Sequence, residues 1–171
     1  MKTIVLSTIF SVACLANLNT INQFEADFTQ TIVNDSNKSV VYKGSIQASK
    51  PQMAHWKYMT PVVKDIYIRD NKIVIIEPEL EQAVLKRMDG NFDFFSMINH
   101  ARKVRKNVYE AKYHEKHFFI VTKNNKIETI TYHDEFDNKV VIHFSNEKIN
   151  HPIKNEVFNA VIPKDFDVIM E

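Results

Sequence analysis

Apolar and polar residues alternate along most of this chain. The clearest case is 39–49, where Val40, Tyr42, Gly44, Ile46 and Ala48 share one side and Val41, Lys43, Ser45, Gln47 and Ser49 the other. A period of two residues predicts a half-buried strand. Similar runs occupy 53–59, 65–69, 72–77, 83–88, 108–114, 117–123, 126–134 and 139–145, with a last strand expected near 157–162. The links are short and turn-like, as in Asn34-Asp35-Ser36-Asn37, Asp70-Asn71, Asn124-Asn125 and Asp137-Asn138. Such spacing predicts hairpins joined into an antiparallel meander. The chain has only 2 glycines, so Asn and Asp are expected to supply the positive φ that tight turns need.

Two segments break the alternation. Leu18, Ile21, Phe24 and Phe28 recur at intervals of three and four behind Asn17 and Asn19, which predicts an amphipathic helix over 18–27. Phe92, Phe94, Phe95, Met97 and Ile98 crowd into 91–102, followed by Arg102-Lys103-Val104-Arg105-Lys106. A short helix with cations at its C-terminal end suits the helix dipole, and its wide apolar surface requires cover on more than one side. Long antiparallel runs with two helices predict a mainly β fold. It is expected as an incomplete, open antiparallel barrel of about ten or eleven strands, with the helices covering the concave face as a lid.

Length and composition narrow the setting. A chain of 171 residues, 44% hydrophobic and 25% charged, suits one globular domain, and its 12 Phe, 6 Tyr and 1 Trp can line a core or a cavity. Met1-Lys2 followed by the uncharged apolar stretch 3–13 predicts a secretory signal peptide, too short for a membrane span. Small residues at Ser11-Val12-Ala13 and Cys14-Leu15-Ala16 allow more than one cut. Cleavage after Ala16 is favoured, leaving 17–171 as one domain. A cut before Cys14 would permit lipidation, although Ser11 stands where such a site normally has Leu. Cleavage after Ala16 removes the single cysteine and also Lys2, one of 22 basic side chains set against 21 acidic ones. The balance that remains implies no nucleic-acid partner.

No constellation for catalysis stands out. His114-Glu115-Lys116-His117 lacks the spacing that puts two imidazoles on one helix face, and it falls on an expected hairpin. His133, Asp134, Glu135 and Asp137 fit an acidic turn better than a cation site. There is no phosphate-binding glycine loop and no nucleophile elbow. Neither an enzyme, a metal nor a cofactor is expected. The basic run 102–106 is either a solvated face or a docking patch for an acidic partner or anionic headgroups.

Three stretches, taken in order, resemble the periplasmic outer-membrane lipoprotein carriers of the LolA type. They are Phe24-Glu25-Ala26-Asp27-Phe28-Thr29-Gln30-Thr31-Ile32; Lys50-Pro51 with Trp56, Pro61 and Asp70-Asn71-Lys72; and Glu77-Pro78 with Glu81-Gln82-Ala83. The likeness continues more loosely through the Phe-rich segment to Phe158 and Pro163. It implies an open barrel closed by a helical lid, and a monomeric periplasmic carrier of acylated lipoproteins. Such a carrier takes its cargo from an inner-membrane ABC transporter to an outer-membrane acceptor. A family arginine that latches the lid is matched here by Lys50, which keeps the charge and loses the planar fork of donors. Ala54 replaces an aromatic residue of some relatives, and Asn71 stands where many have Gly.

Strand parity nominates the cavity lining. Ala54, Trp56 and Tyr58 share a face, as do Ile66 and Ile68, and as do Val140, Ile142 and Phe144; the lid would add Phe94, Phe95, Met97 and Ile98. The alternative for each is a dry packed core without a ligand. An alternative function on the same fold is a periplasmic binder of free lipid or another amphiphile.

Overall fold

The computed structural model describes residues 18–88, 94–113 and 115–171. The proposed signal segment 1–16, Phe92 and His114 lie outside them. After a 3-10 turn at Leu18–Thr20 come β1 (Gln23–Val33), β2 (Ser39–Ser49), β3 (Met53–Thr60), β4 (Lys64–Arg69) and β5 (Lys72–Glu77). A second 3-10 turn, Pro78–Leu80, leads to β6 (Gln82–Arg87). Next are α1 (Phe94–His100), β7 (Arg102–Arg105), β8 (Val108–Tyr113), β9 (Lys116–Lys123), β10 (Lys126–His133) and β11 (Lys139–Ile149). A 3-10 turn at Asn155–Phe158 and β12 (Asp167–Met170) complete the order.

The 12 strands among the described residues form one sheet in the order β12-β6-β5-β4-β3-β2-β1-β11-β10-β9-β8-β7. The sheet is open, with β12 and β7 as its edges. Every pairing is antiparallel except that of β12 with β6, which is parallel. Among the described residues one α-helix, α1, covers part of one face, beside β8 and the N-terminal turn.

The helix expected over 18–27 is absent: Leu18–Thr20 is a 3-10 turn, and from Gln23 the segment is the central strand of the sheet. In β1, Phe24, Ala26, Phe28 and Gln30 are buried in alternation. A spacing of four residues satisfies both the helical and the strand period, so Phe24 and Phe28 alone could not distinguish them. Pairing along both edges decides it: Phe28 lies opposite Gly44 of β2 and Phe144 of β11.

Two further expectations are corrected. The basic run Arg102–Arg105 is edge strand β7 and does not cap a helix. His100 closes α1 instead, its Nδ1 donating to the Ser96 carbonyl at 2.7 Å. No strand forms at 157–162, because Phe158 turns inward from a 3-10 turn and buries almost completely. The last strand begins only at Asp167, beyond Pro163. The turn chemistry matches the sequence: among the described residues every non-glycine with positive φ is Asn or Asp except Glu81, and Asn71 is one of them at 62°.

Candidate functional site: an apolar interior under helix α1

The buried face of the sheet and the inner side of α1 share one hydrophobic cluster. On β3, Ala54 and Tyr58 are buried and Trp56 half-buried; on β4, Ile66 and Ile68 pack against the cluster from its border. Val140, Ile142 and Phe144 of β11 are buried in it. Phe94, Phe95, Met97 and Ile98 of α1 are buried too, at 7%, 2%, 6% and 0% exposure, so four of the helix's seven side chains point inward. All twelve nominated side chains therefore meet in one region.

The pleat fixes which way these strand residues face: Trp56 pairs with Ile46 and Ile66, and Ile142 with Gln30 and Ile130. Residues on β1, β2 and β8–β10 were not nominated, although they belong to the same cluster. Phe24 falls within the helix expected over 18–27, and Phe28 just beyond it. Ile46, Ile120 and Ile130 carry the same two-residue signal and could have been found by extending it.

Aromatic rings organise the interior. Phe28 makes edge contacts with Trp56 and Tyr58 at 5.2 and 5.1 Å between centroids. Phe94 reaches from α1 to Phe24 at 4.8 Å, and Phe24 meets Phe144 edge-on at 5.3 Å. Gly44 is the floor beneath Phe28: a Cβ there would lie 2.8 Å from the ring and 2.0 Å from the Lys57 carbonyl oxygen. Rings from β1, β3, β11 and α1 thus pack against one another in the interior. Surface hollows, such as one of about 710 Å³ bounded by Asn99, His100, Ala101, Arg102, Glu110 and Lys112, lie elsewhere.

One buried polar pair interrupts the apolar face. The Tyr58 hydroxyl donates to Gln30 Oε1 at 2.9 Å, and burial pushes the phenol well above its ordinary range, so it remains a donor. Lys64 stands at the border of this region, its ammonium 4.8 Å from the Tyr58 ring and 6.0 Å from that of Tyr42.

Lys50 sits at the end of β2 between the N-terminal turn and α1. Its Nζ donates to the Asn19 carbonyl at 3.1 Å and lies 5.9 Å from the centroid of Phe95. The contact to the helix is thus made to a ring face rather than to helix backbone. A point-charge ammonium suits that geometry, whereas a planar fork would suit two carbonyls.

The polar clusters elsewhere have structural partners. Asp134 caps its own turn, accepting from the Phe136 and Asn138 amides at 2.9 Å each and from the Asn138 side chain. His117 pairs with Glu110 and His55 with Asp65, both at 2.7 Å. No group of three metal-ligating side chains occurs among the described residues. No helix among them is long and apolar enough to cross a membrane.

Comparison with solved structures gives the fold first. A LolA superfamily protein from Nitrosomonas europaea superposes with a TM-score of 0.53 over 90% of this chain and 99% of that one, at 10% identity. The two proteins share this fold.

The sequence gives the narrower placement. The family model described as outer membrane lipoprotein carrier protein LolA matches residues 19–108. An outer-membrane lipoprotein carrier protein of Campylobacter jejuni is 36% identical over 86% of both chains. One of Wolinella succinogenes is 30% identical over the full length of both. The chain belongs to the LolA family of outer-membrane lipoprotein carriers, a periplasmic, non-catalytic family.

Proposed function

We propose that the interior beneath α1 receives the acyl chains of lipoproteins and carries them through the periplasm. The carrying observation is the seating of α1: Phe94, Phe95, Met97 and Ile98 fill the face that Ala54, Trp56, Tyr58, Ile66, Ile68, Val140, Ile142 and Phe144 form from the sheet.

Magnitudes favour an exchange. Burying four such side chains is worth roughly 6–12 kcal/mol, and an acyl chain of about a dozen methylenes roughly 10 kcal/mol. One acyl chain thus offsets what the sheet loses when α1 lifts out, and further chains drive binding. Two states of similar energy are what a carrier needs, since it must release what it captures. Lys50, bound to Asn19 and lying over Phe95, is the latch on the closed state.

On this reading residues 1–16 direct export and are removed, and residues 17–171 act as a monomer. Cargo arrives from an inner-membrane ABC transporter and leaves to an outer-membrane acceptor. Mass spectrometry of what residues 17–171 capture from spheroplasts tests the proposal, with acylated lipoproteins as the expected cargo. Free lipid without attached protein would instead favour a general amphiphile binder. A second check is Trp56, the chain's 1 tryptophan. Its emission should change on saturation with an acylated lipopeptide, and a constant spectrum would refute a pocket lined by that residue.

A further inference from the structure

Exposed apolar side chains are unevenly distributed over the molecule. Val40, Val41, Met59, Val62 and Val63 are 47%, 44%, 46%, 39% and 37% exposed, and all belong to two neighbouring hairpin ends. The turn joining β1 to β2 and the turn joining β3 to β4 lie at the same end of the sheet, because Val33 pairs with Ser39, Lys43 with Thr60 and Tyr58 with Lys64. Residues 39–42 run on past the end of β3, since Lys43 is the last residue of β2 with a β3 partner in that direction.

Strand propensity explains isolated valines, but here the alternation itself fails. The outward positions of β2 are otherwise Lys43, Ser45 and Gln47, whereas its overhang carries Val40 and Val41 on opposite faces. The adjoining turn is Pro61-Val62-Val63, all three exposed.

Charge identifies the occupant. Lys38, Lys43 and Lys57 are exposed around these two hairpin ends, and Lys64 follows them at the border of the interior. The acids within the same stretches are Asp35, and Asp65, which is held by His55 at 2.7 Å. The adjacent turn carries exposed Phe136 among Asp134, Glu135 and Asp137, a setting that anionic headgroups disfavour. Apolar tips whose own two hairpins carry four lysines, between acidic links on either side, match the interfacial layer of an anionic bilayer, where short apolar groups enter among the acyl chains and lysines meet phosphates. The geometry points to the β1–β2 and β3–β4 hairpin ends as a membrane-contact surface for anionic phospholipid, separate from the apolar interior.

Residues 17–171, which contain every described element, supply the test. The protein is floated with vesicles of phosphatidylcholine alone or mixed with phosphatidylglycerol. Binding is expected with the anionic mixture and should weaken as salt rises. Val62→Asp with Val63→Asp should lower the partition coefficient at least tenfold, and Lys38→Glu with Lys57→Glu should remove the preference for phosphatidylglycerol. Val161→Asp, an exposed position two residues beyond Asn159, which Arg69 at the opposite end of β4 contacts, should change nothing. Circular dichroism confirms that each variant keeps its sheet. Failure of the unaltered protein to float with anionic vesicles overturns the inference, as does equal flotation of the Val62/Val63 variant. Vesicles without lipoprotein are used, so flotation combined with no response of Trp56 to lipopeptide would sink the carrier proposal and leave this one standing.

Discussion

Replacing Lys50 with Met is the most direct probe of α1 as a moving part. The substitution deletes the hydrogen bond to the Asn19 carbonyl and the contact over Phe95, while keeping an unbranched apolar stem. An exposed hydrogen bond of this kind contributes about 0.5–1.5 kcal/mol and an exposed cation–π contact about 0.5–1 kcal/mol. Together, with incomplete additivity, the closed state loses about 1–2 kcal/mol. If ligand enters only when α1 lifts, the same quantity moves the closed-to-open equilibrium by roughly 5- to 30-fold. Titration with an acylated lipopeptide, followed by Trp56 emission, should therefore give a lower apparent Kd by that factor. Hydrogen exchange of the α1 amides should quicken in parallel. Lys50→Arg should restore most of the difference, because the charge remains. A variant that is less stable to urea yet binds lipopeptide no better, or worse, would show that Lys50 holds the fold together without gating the interior.

The remaining expectations concern the sheet. Gly44→Ala places a methyl group against the Lys57 carbonyl and the Phe28 ring and should cost about 3 kcal/mol, at the upper end for overpacking because a backbone atom cannot yield; an unchanged urea midpoint would refute the close approach. Tyr58→Phe strands the buried Gln30 amide and should cost about 1–3 kcal/mol, whereas adding Gln30→Leu should recover most of it, as read by the same denaturation. Burial raises the Glu147 carboxyl from 4.5 to about 7, against the opposing amide of Ile127 and the charge of Lys126. The folded state therefore binds a proton more tightly than the unfolded chain, so this contribution is complete below about pH 4.5, declines as pH rises through about 7, and is flat above. Glu147→Gln should flatten that part of the stability profile, and an identical slope in the variant would assign the dependence elsewhere.

Hairpin ends and the facing of side chains are legible in the sequence because the pleat converts parity into direction, whereas the order of the strands in the sheet, with β1 beside β11 and β12 parallel to β6, is not. Trp56 and Ile142 could be assigned to one interior without knowing how far apart their strands lay. Turn chemistry was legible for a related reason, since a chain with two glycines must place Asn and Asp where φ is positive. Around Phe24 the sequence is ambiguous because the spacing of Phe24 and Phe28 fits two periods, while the spacing of three from Leu18 to Ile21 to Phe24 comes from a 3-10 turn running into β1, and only pairing with β2 and β11 decides between helix and strand. Such pairing is a tertiary fact and leaves no local mark. The same holds for Arg102–Arg105, whose charges suit a helix end electrostatically and an edge strand by exposure. Phe158 shows a third limit, for one buried ring in a turn carries no period at all.

The position of β1 has a consequence for how the chain acquires its structure. This first strand is the middle of the sheet, and one of its two neighbours, β11, joins it through pairs such as Phe24 with Ile149. The first hairpin can form early, but its inner edge stays open until almost the whole polypeptide has emerged. Closing so long a loop is slow, and an unpaired apolar strand invites association with other chains meanwhile. Production of this protein should accordingly be limited by the interval between the appearance of its first strand and the arrival of residues 139–149, and C-terminal truncations that remove them should aggregate rather than settle into a smaller sheet.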